Sequence, residues 1–516
     1  MQTQPIQLPP EAHILVIKMA GIGDLLLATP ALRALRETYP QAQIDLLVTP
    51  ASAGLLNGWE VIDRVIVLDK YLFDYPQQML TNPRNLLKLR PLWHDLRDAH
   101  YDAVLLLHHL TLPFGRLKHQ VLLRATGAKW RAGLDNGHGW FLNLRAQDNG
   151  FGAMHEAEYN LAVAELVGAT TSNKRLTVPM SEEDHRQAWQ LLYENESPES
   201  IKHPIIAMHP GSGSYSTARR WAPERFAQLA DTLFSDVGGQ LLLLGGPEEA
   251  ELHRQIIGMM QSEMPVRSLA GRGSIKITAA LLEQVDLFVG NDSALVHLSV
   301  AGGTPTVAIF GLTNSGAWGP YTGGTPGQQA VIVRLDLPCM PCFYRGHDLG
   351  TPEGCATRDC LALLGVDPVA VAARRLLKTE RSLFVPPQAT NQALAVITNS
   401  GSTNAPGSTL AINRDGSGTV TYLKGTQQER FKRYVNSTLP AGTFESSQLE
   451  NILTQIKDVG TIPDRHCLKS TSFGSTITIT YQGKTSGDLS CLTNEDPKIF
   501  LDLKQLVLEN MYSRLT

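Results

Sequence analysis

Three short segments hold the residue types best suited to handling an anion and a proton. The first is Met19-Ala20-Gly21-Ile22-Gly23-Asp24, between an apolar run and a helical pattern. Its glycines allow a tight turn, and the helix start beyond them offers unpaired N–H groups and a positive dipole end. The third glycine of a dinucleotide fingerprint is missing. Asp24 has two open readings, a helix cap or a carboxylate at a cleft mouth that takes a proton from a hydroxyl. The second segment is His209-Pro210-Gly211-Ser212-Gly213-Ser214, followed by Arg219 and Arg220. Small residues let backbone amides approach an anion, and guanidinium groups clamp phosphate oxygens bidentately. The third is Gly290-Asn291-Asp292-Ser293-Ala294-Leu295-Val296-His297, directly after the apolar run DLFV. Ser293 and Ala294 stand where a helix should start, so their N–H groups are also candidate anion binders.

A fourth cluster is Cys339, Cys342, Cys355 and Cys360, spaced Cys-x2-Cys-x12-Cys-x4-Cys. A structural zinc site accepts that spacing, but free thiols or a redox-labile pair are the expected state. Cys467 and Cys491 are expected reduced by default, with a disulfide between them as the alternative if their Cα atoms lie within about 7 Å.

The elements that must position these residues follow a regular rhythm. HILVIK (13–18), QIDLLV (43–48), VIDRVIVL (61–68) and DAVLLL (102–107) read as strands, and 24–39 reads as one helix. The rhythm restarts after a polar break near 192–203 with PIIAMH, GQLLLLGG, VRSLAG, DLFVGND and TPTVAIFG. Apolar strands alternating with amphipathic helices predict βαβ units and parallel sheets, with ligands beyond the carboxyl ends of the strands. The expected division is an acceptor-side domain at 1–200, a donor-side domain at 201–384, and a smaller α+β domain at 393–516 behind the linker PPQATNQA. That last part is rich in Ser, Thr, Gly and Asn, with hairpins at TLAINRDGSGTVTYL and TITITYQGKTSGDLS.

Composition bounds the class. The 516 residues are 43% hydrophobic and 18% charged, with a formal net charge of −4, which argues against nucleic acid as a partner. The opening MQTQPIQLPPEAHILVIK has no basic region before an apolar stretch, and no apolar run approaches bilayer length. A cytoplasmic location is expected, with peripheral contact to the inner membrane face as an option. The segment 84–145 holds ten Lys and Arg (Arg84, Lys88, Arg90, Arg97, Arg116, Lys118, Arg124, Lys129, Arg131, Arg145) against four Asp. That is ordinary solvated charge, or a dock for anionic lipid or an anionic acceptor.

Taken together, HILVIKMAGIGDLLLATPALRALRETYP, HPGSGS…RRWAPERF…LLLLGGPEE and LFVGNDSALVHLSVAGGTPTVAIFGLTNSGAWGP resemble glycosyltransferase family 9, the ADP-heptose:lipopolysaccharide heptosyltransferase type. The resemblance runs from about residue 12 to 375, with the motifs in order. It implies an α/β GT-B fold, with two facing Rossmann-like domains around a central cleft. It also implies inverting, metal-independent transfer from a nucleotide-sugar to a hydroxyl of a glycan or lipid-linked glycan, with no cofactor. By motif, Asp24 is the general base. Gly213, Ser214, Arg219, Arg220, Asp292, Ser293, Ala294 and His297 hold the donor, Glu249 its ribose (Glu248 and Glu251 being rivals), and Gly271 borders the base. Arg219 stands where the family usually has Lys, keeping the charge but changing its geometry. Two other functions compete with this one. The first is a non-catalytic nucleotide-sugar binding protein; the second is an epimerase of GT-B shape, which the HPGSGS and NDSALVH elements fit less well.

Overall fold

The computed structural model describes residues 5–70, 84–193, 202–213, 215–324, 328–378, 394–400, 408–422, 437–439, 443–444, 446–463, 476–482, 484–493 and 496–512. The chain divides into two compact units, 1–380 and 381–516.

The first unit contains two parallel six-stranded sheets. One is built from β1 (His13–Ile17), β2 (Gln43–Val48), β3 (Arg64–Val67), β4 (Ala103–Leu106), β5 (Trp130–Asp135) and β6 (Leu144–Gln147), in the order β3-β2-β1-β4-β5-β6. The other uses β7 (Ile205–His209), β8 (Gln240–Leu243), β9 (Val266–Ser268), β10 (Leu287–Asn291), β11 (Thr306–Ile309) and β12 (Ala330–Val333), in the order β12-β11-β10-β7-β8-β9. Both are doubly wound. The chain reverses its direction of travel across the sheet between β1 and β4, and again between β7 and β10. Helices cover both faces of such sheets, so the central strands are buried throughout, as in IIAMH and LFVGN. The crevice at each reversal, beyond the strand ends, is where a doubly wound sheet takes a ligand.

The single helix expected over 24–39 is two, Ile22–Leu26 and Thr29–Thr38. Pro30 is the cause: it has no N–H to donate, and its ring would clash with the carbonyl of Leu26. The Thr29 hydroxyl donates to that carbonyl instead, at 2.7 Å. The helix Glu182–Leu192 lies before the polar break in sequence but packs on the second lobe, where Arg267 donates to the Leu192 carbonyl at 2.7 Å. A short antiparallel hairpin, β13 (Phe343–Arg345) with β14 (Asp348–Gly350), follows the second sheet.

The second unit is a mixed layer of another kind. Its sheet comprises β15 (Ala395–Asn399), β16 (Ser408–Ile412), β17 (Gly418–Tyr422), β18 (Ser437–Leu439), β19 (Ile477–Tyr481) and β20 (Lys484–Thr485), all antiparallel, in the order β18-β17-β16-β15-β19-β20. Both expected hairpins are present, β16 with β17 and β19 with β20. Alternate residues are buried, including Leu410, Ile412, Ile477 and Ile479, as expected for strands with one covered face. They form a core with Leu449 and Leu453 of the helix Ser446–Ile456 and with Leu503 and Val507 of Lys498–Tyr512. The PPQATNQA linker and Cys467 lie outside the described residues. Cys491 is disulfide-bonded, the alternative rather than the default state; the reduced default rested on compartment alone and not on geometry.

Candidate active site

The first lobe supplies a carboxylate. Beyond β1 the chain turns at Gly21, which caps the helix Ile22–Leu26 without a side-chain bond. Asp24 is the third residue of that helix, so it is not the cap. Its charge sits in the first turn, where the helix dipole favours it. Among the described residues its one hydrogen bond comes from across the cleft, where Trp318 Nε1 donates to Oδ1 at 3.0 Å. Gly23 permits this approach, because a Cβ there would lie 3.1 Å from the His297 ring and 3.4 Å from Ala294 Cα.

The second lobe supplies a cationic and amide-rich wall. Asn291, at the end of β10, pins the loop after β7 by donating to the carbonyls of Pro210 (2.7 Å) and Gly211 (3.2 Å) and accepting from Trp221 N (3.0 Å). Glu249 is 2% exposed and holds the same loop from behind. It accepts from Ser212 N (3.2 Å), Gly213 N (3.4 Å) and Gly246 N (3.1 Å), and it bonds His209 Nε2 at 3.0 Å. Burial by itself would raise its pKa, but His209 and the backbone donors hold it down at about 2. A Cβ at Gly211 would overlap this carboxylate.

The two arginines part company. Arg220 turns toward the loop, 3.3 Å from Glu249 Oε1 and 3.3 Å from Ser212 Oγ. Arg219 donates to the Ser212 carbonyl at 3.0 Å and lies 3.4 Å from Asp292 Oδ2, while its buried Nε has no partner. Ser293 caps the helix Ala294–Ala301, and its hydroxyl bonds His209 Nδ1 at 2.9 Å. His297 on that helix is 3% exposed, with an unpartnered buried Nδ1. Burial first, then the neighbouring His155, push its pKa down to about 3 against the pull of Asp24, so it is neutral.

A cleft of about 1070 Å³ joins both walls. Asp24, Gly213, Arg219, Glu249, Asp292, Ser293, Ala294 and His297 line it; Arg220 and Gly271 do not, and Ser214 lies outside the described residues. Gly271 packs instead against Pro247. Glu248 is exposed and also lines the cleft, whereas both oxygens of Glu249 are already engaged.

Sequence reasoning missed two groups here. His109, just beyond β4, bridges Asp148 (2.9 Å to Nδ1) and Glu156 (2.9 Å to Nε2). Burial opposes its charge, but the two carboxylates overcome that and raise its pKa to about 9. The strand-end position of His109 was a usable signal. The second group is aromatic: Trp318 against Phe151 (5.2 Å between centroids) and Tyr344 (4.2 Å).

Elsewhere, several of the basic residues between 84 and 145 tie loops together. Arg116 donates to the carbonyls of Leu110 and Thr111, Arg131 to that of Phe141, and Arg145 pairs with Asp135 at 3.3 Å. Cys339, Cys342 and Cys355 are exposed free thiols, and Cys360 is a buried one. Among the described residues, no group of three or more His, Cys, Asp or Glu is arranged to hold a metal ion, and no helix is long and apolar enough to cross a membrane.

Comparison with known proteins agrees with this architecture. The model of "Glycosyltransferase family 9 (heptosyltransferase)" matches residues 89–351. Lipopolysaccharide heptosyltransferase 2 of Salmonella typhimurium is 26% identical over 338 residues, 62% of this chain and 88% of that protein. Lipooligosaccharide heptosyltransferase 2 of Campylobacter jejuni is 26% identical over 358 residues, 69% of this chain and 96% of its own. Among solved structures, the family 9 glycosyl transferase of Veillonella parvula superposes with a TM-score of 0.55 at 22% identity, covering 71% of this chain and 97% of its own. The E. coli ADP-heptose LPS heptosyltransferase II gives 0.51 at 22% identity, covering 71% and 98%. These neighbours share the two-lobed GT-B fold. The chain belongs to glycosyltransferase family 9, the heptosyltransferase family, and is a glycosyltransferase.

Proposed function

We propose that this chain moves a heptose from ADP-heptose onto a hydroxyl of a glycan or lipid-linked glycan, with inversion and without a catalytic metal. The observation that carries the reading is the cleft in which Asp24 of one lobe faces Arg219, Asp292, Ser293 and His297 of the other. Asp24 Oδ2 accepts no hydrogen bond among the described residues and is available for an acceptor proton. As the acceptor oxygen forms its bond to the anomeric carbon, that proton passes to Asp24. The bond from the anomeric carbon to the diphosphate breaks on the opposite face, which inverts the centre. Charge then grows on the leaving diphosphate. Arg219 and the amides at the start of Ala294–Ala301 are fixed to meet it, the role a divalent cation plays in metal-dependent transferases.

Lipopolysaccharide and lipooligosaccharide heptosyltransferases among the relatives support heptose as the sugar and a lipid-linked core as the acceptor. Glu248, exposed at the cleft wall, is the carboxylate left to meet the ribose, since Glu249 is committed to the loop. The test is transfer from ADP-heptose in excess EDTA, with the anomeric configuration of the product read by NMR. Inverted product at an undiminished rate is expected. A rate restored only by Mg²⁺ or Mn²⁺, or a retained configuration, overturns the proposal.

A further inference from the structure

We propose that Trp318 is a positioning residue for the transfer, its indole N–H orienting Asp24 from the opposite lobe so that the base is set only when the two lobes are apposed. The inference rests on the reading of Asp24 as the general base. Asp24 stands on the helix Ile22–Leu26 of the first lobe, and Trp318 ends the short helix Ser315–Trp318 of the second. Their hydrogen bond is 3.0 Å long and engages Oδ1. An indole N–H donates only and cannot take up a proton. Any effect of Trp318 on proton transfer therefore runs through the carboxylate. Without that bond the carboxylate is free to rotate about its side-chain torsions. With it, the second oxygen is left to receive the acceptor proton.

The indole and the helix that carries it are held by groups of both lobes. Before it, Asn314 caps the helix, accepting from Gly316 N at 3.0 Å, and donates through Nδ2 to the carbonyl of Phe151 at 3.0 Å and to that of Tyr344 at 3.0 Å. After it, His155 Nε2 donates to the Gly319 carbonyl at 2.9 Å. The backbone N–H of Phe151 donates to the Gly346 carbonyl at 2.6 Å, and the Phe151 and Tyr344 rings pack against the indole. Phe151 and His155 belong to the first lobe, so separating the lobes removes their contacts together with the bond to Asp24, while those with Tyr344 stay within the second lobe. Proton abstraction is thereby coupled to closure.

The test compares wild type, Trp318→Phe, Asp24→Asn and the double variant. Phenylalanine keeps an aromatic ring in the packing and deletes the donor. Losing one hydrogen bond to a charged group is expected to slow single-turnover transfer by about tenfold to a hundredfold. The affinity for ADP, read by calorimetry, and the KM for acceptor should stay within about threefold. Asp24→Asn alone should lose about 10²–10⁴, and adding Trp318→Phe to it should cost nothing more, because the two act as one unit. An unchanged rate in Trp318→Phe overturns the inference. So does a loss of ADP affinity as large as the loss of rate, or a double variant whose losses multiply. Near-wild-type turnover by Asp24→Asn refutes the base assignment instead, and the two failures are separate readings.

Discussion

The buried His109 makes the pH dependence of stability calculable. Its ring is 7% exposed and sits 2.9 Å from both the Asp148 and the Glu156 carboxylates. Its pKa is raised from the ordinary 6.5 to about 9, so the folded state keeps a proton that the unfolded chain releases. A group whose folded pKa is raised contributes its full stabilisation below the unfolded value and loses it as pH rises through the folded value. The window is therefore about pH 6.5 to 9. At about 1.4 kcal/mol per pH unit between the two values, the contribution is on the order of 3 kcal/mol. In a unit of this size that corresponds to a change in Tm of a few degrees. The assay is thermal unfolding of wild type and His109→Gln at pH 6, 7.5 and 9.5. Glutamine leaves two buried carboxylates facing a neutral group, so the variant should be less stable at pH 6, and the gap should close toward pH 9.5. Parallel curves across that range refute the reasoning, because they mean that His109 carries no proton through the window.

Two further outcomes follow from the site and the fold. Arg219→Ala should lower transfer by about 10²–10³, as expected for removal of a cationic donor at a leaving group, while Arg219→Lys should retain most of the rate because the charge stays; an alanine variant within threefold of wild type removes Arg219 from the mechanism. A chain ending at residue 388 should remain folded and bind ADP with unchanged affinity, since the first unit has its own cores; aggregation or lost binding on gel filtration and calorimetry refutes the division at that point.

Much of the site was legible because its chemistry sits in short motifs at strand ends. Asp24 follows β1, the Gly/Ser loop follows β7, and Asp292-Ser293-Ala294 follows β10, and strand and helix periods located all three. The break at Pro30 was also open to view, since proline rules out a continuous helix, but the apolar spacing on either side disguised it. Roles that depend on distant partners were not legible. Arg219 and Arg220 are adjacent in sequence, yet one faces the cleft and the other faces Glu249. Glu249 reads as a ribose-binding acid, and its bonds to His209, Arg220 and the Gly/Ser loop come from positions that no local pattern links to it. His109, Asp148 and Glu156 come from three segments, and no local pattern joins them. The strands β5 and β6 are hard to read for a simpler reason: WRAGLD and LRAQ carry few apolar residues, and β6 is an edge strand with one buried residue.

The bond between Trp318 and Asp24 also sets a clock on biosynthesis. The two residues are 294 positions apart. At roughly 5–20 residues per second, a ribosome takes on the order of 15–60 s to travel from one to the other. In the later part of that interval, once Gln147 has been made, every strand of the first sheet is in the chain, while the indole that meets its carboxylate has still to be synthesised. A nascent chain thus holds all the strands of its first lobe before it holds both partners of that bond.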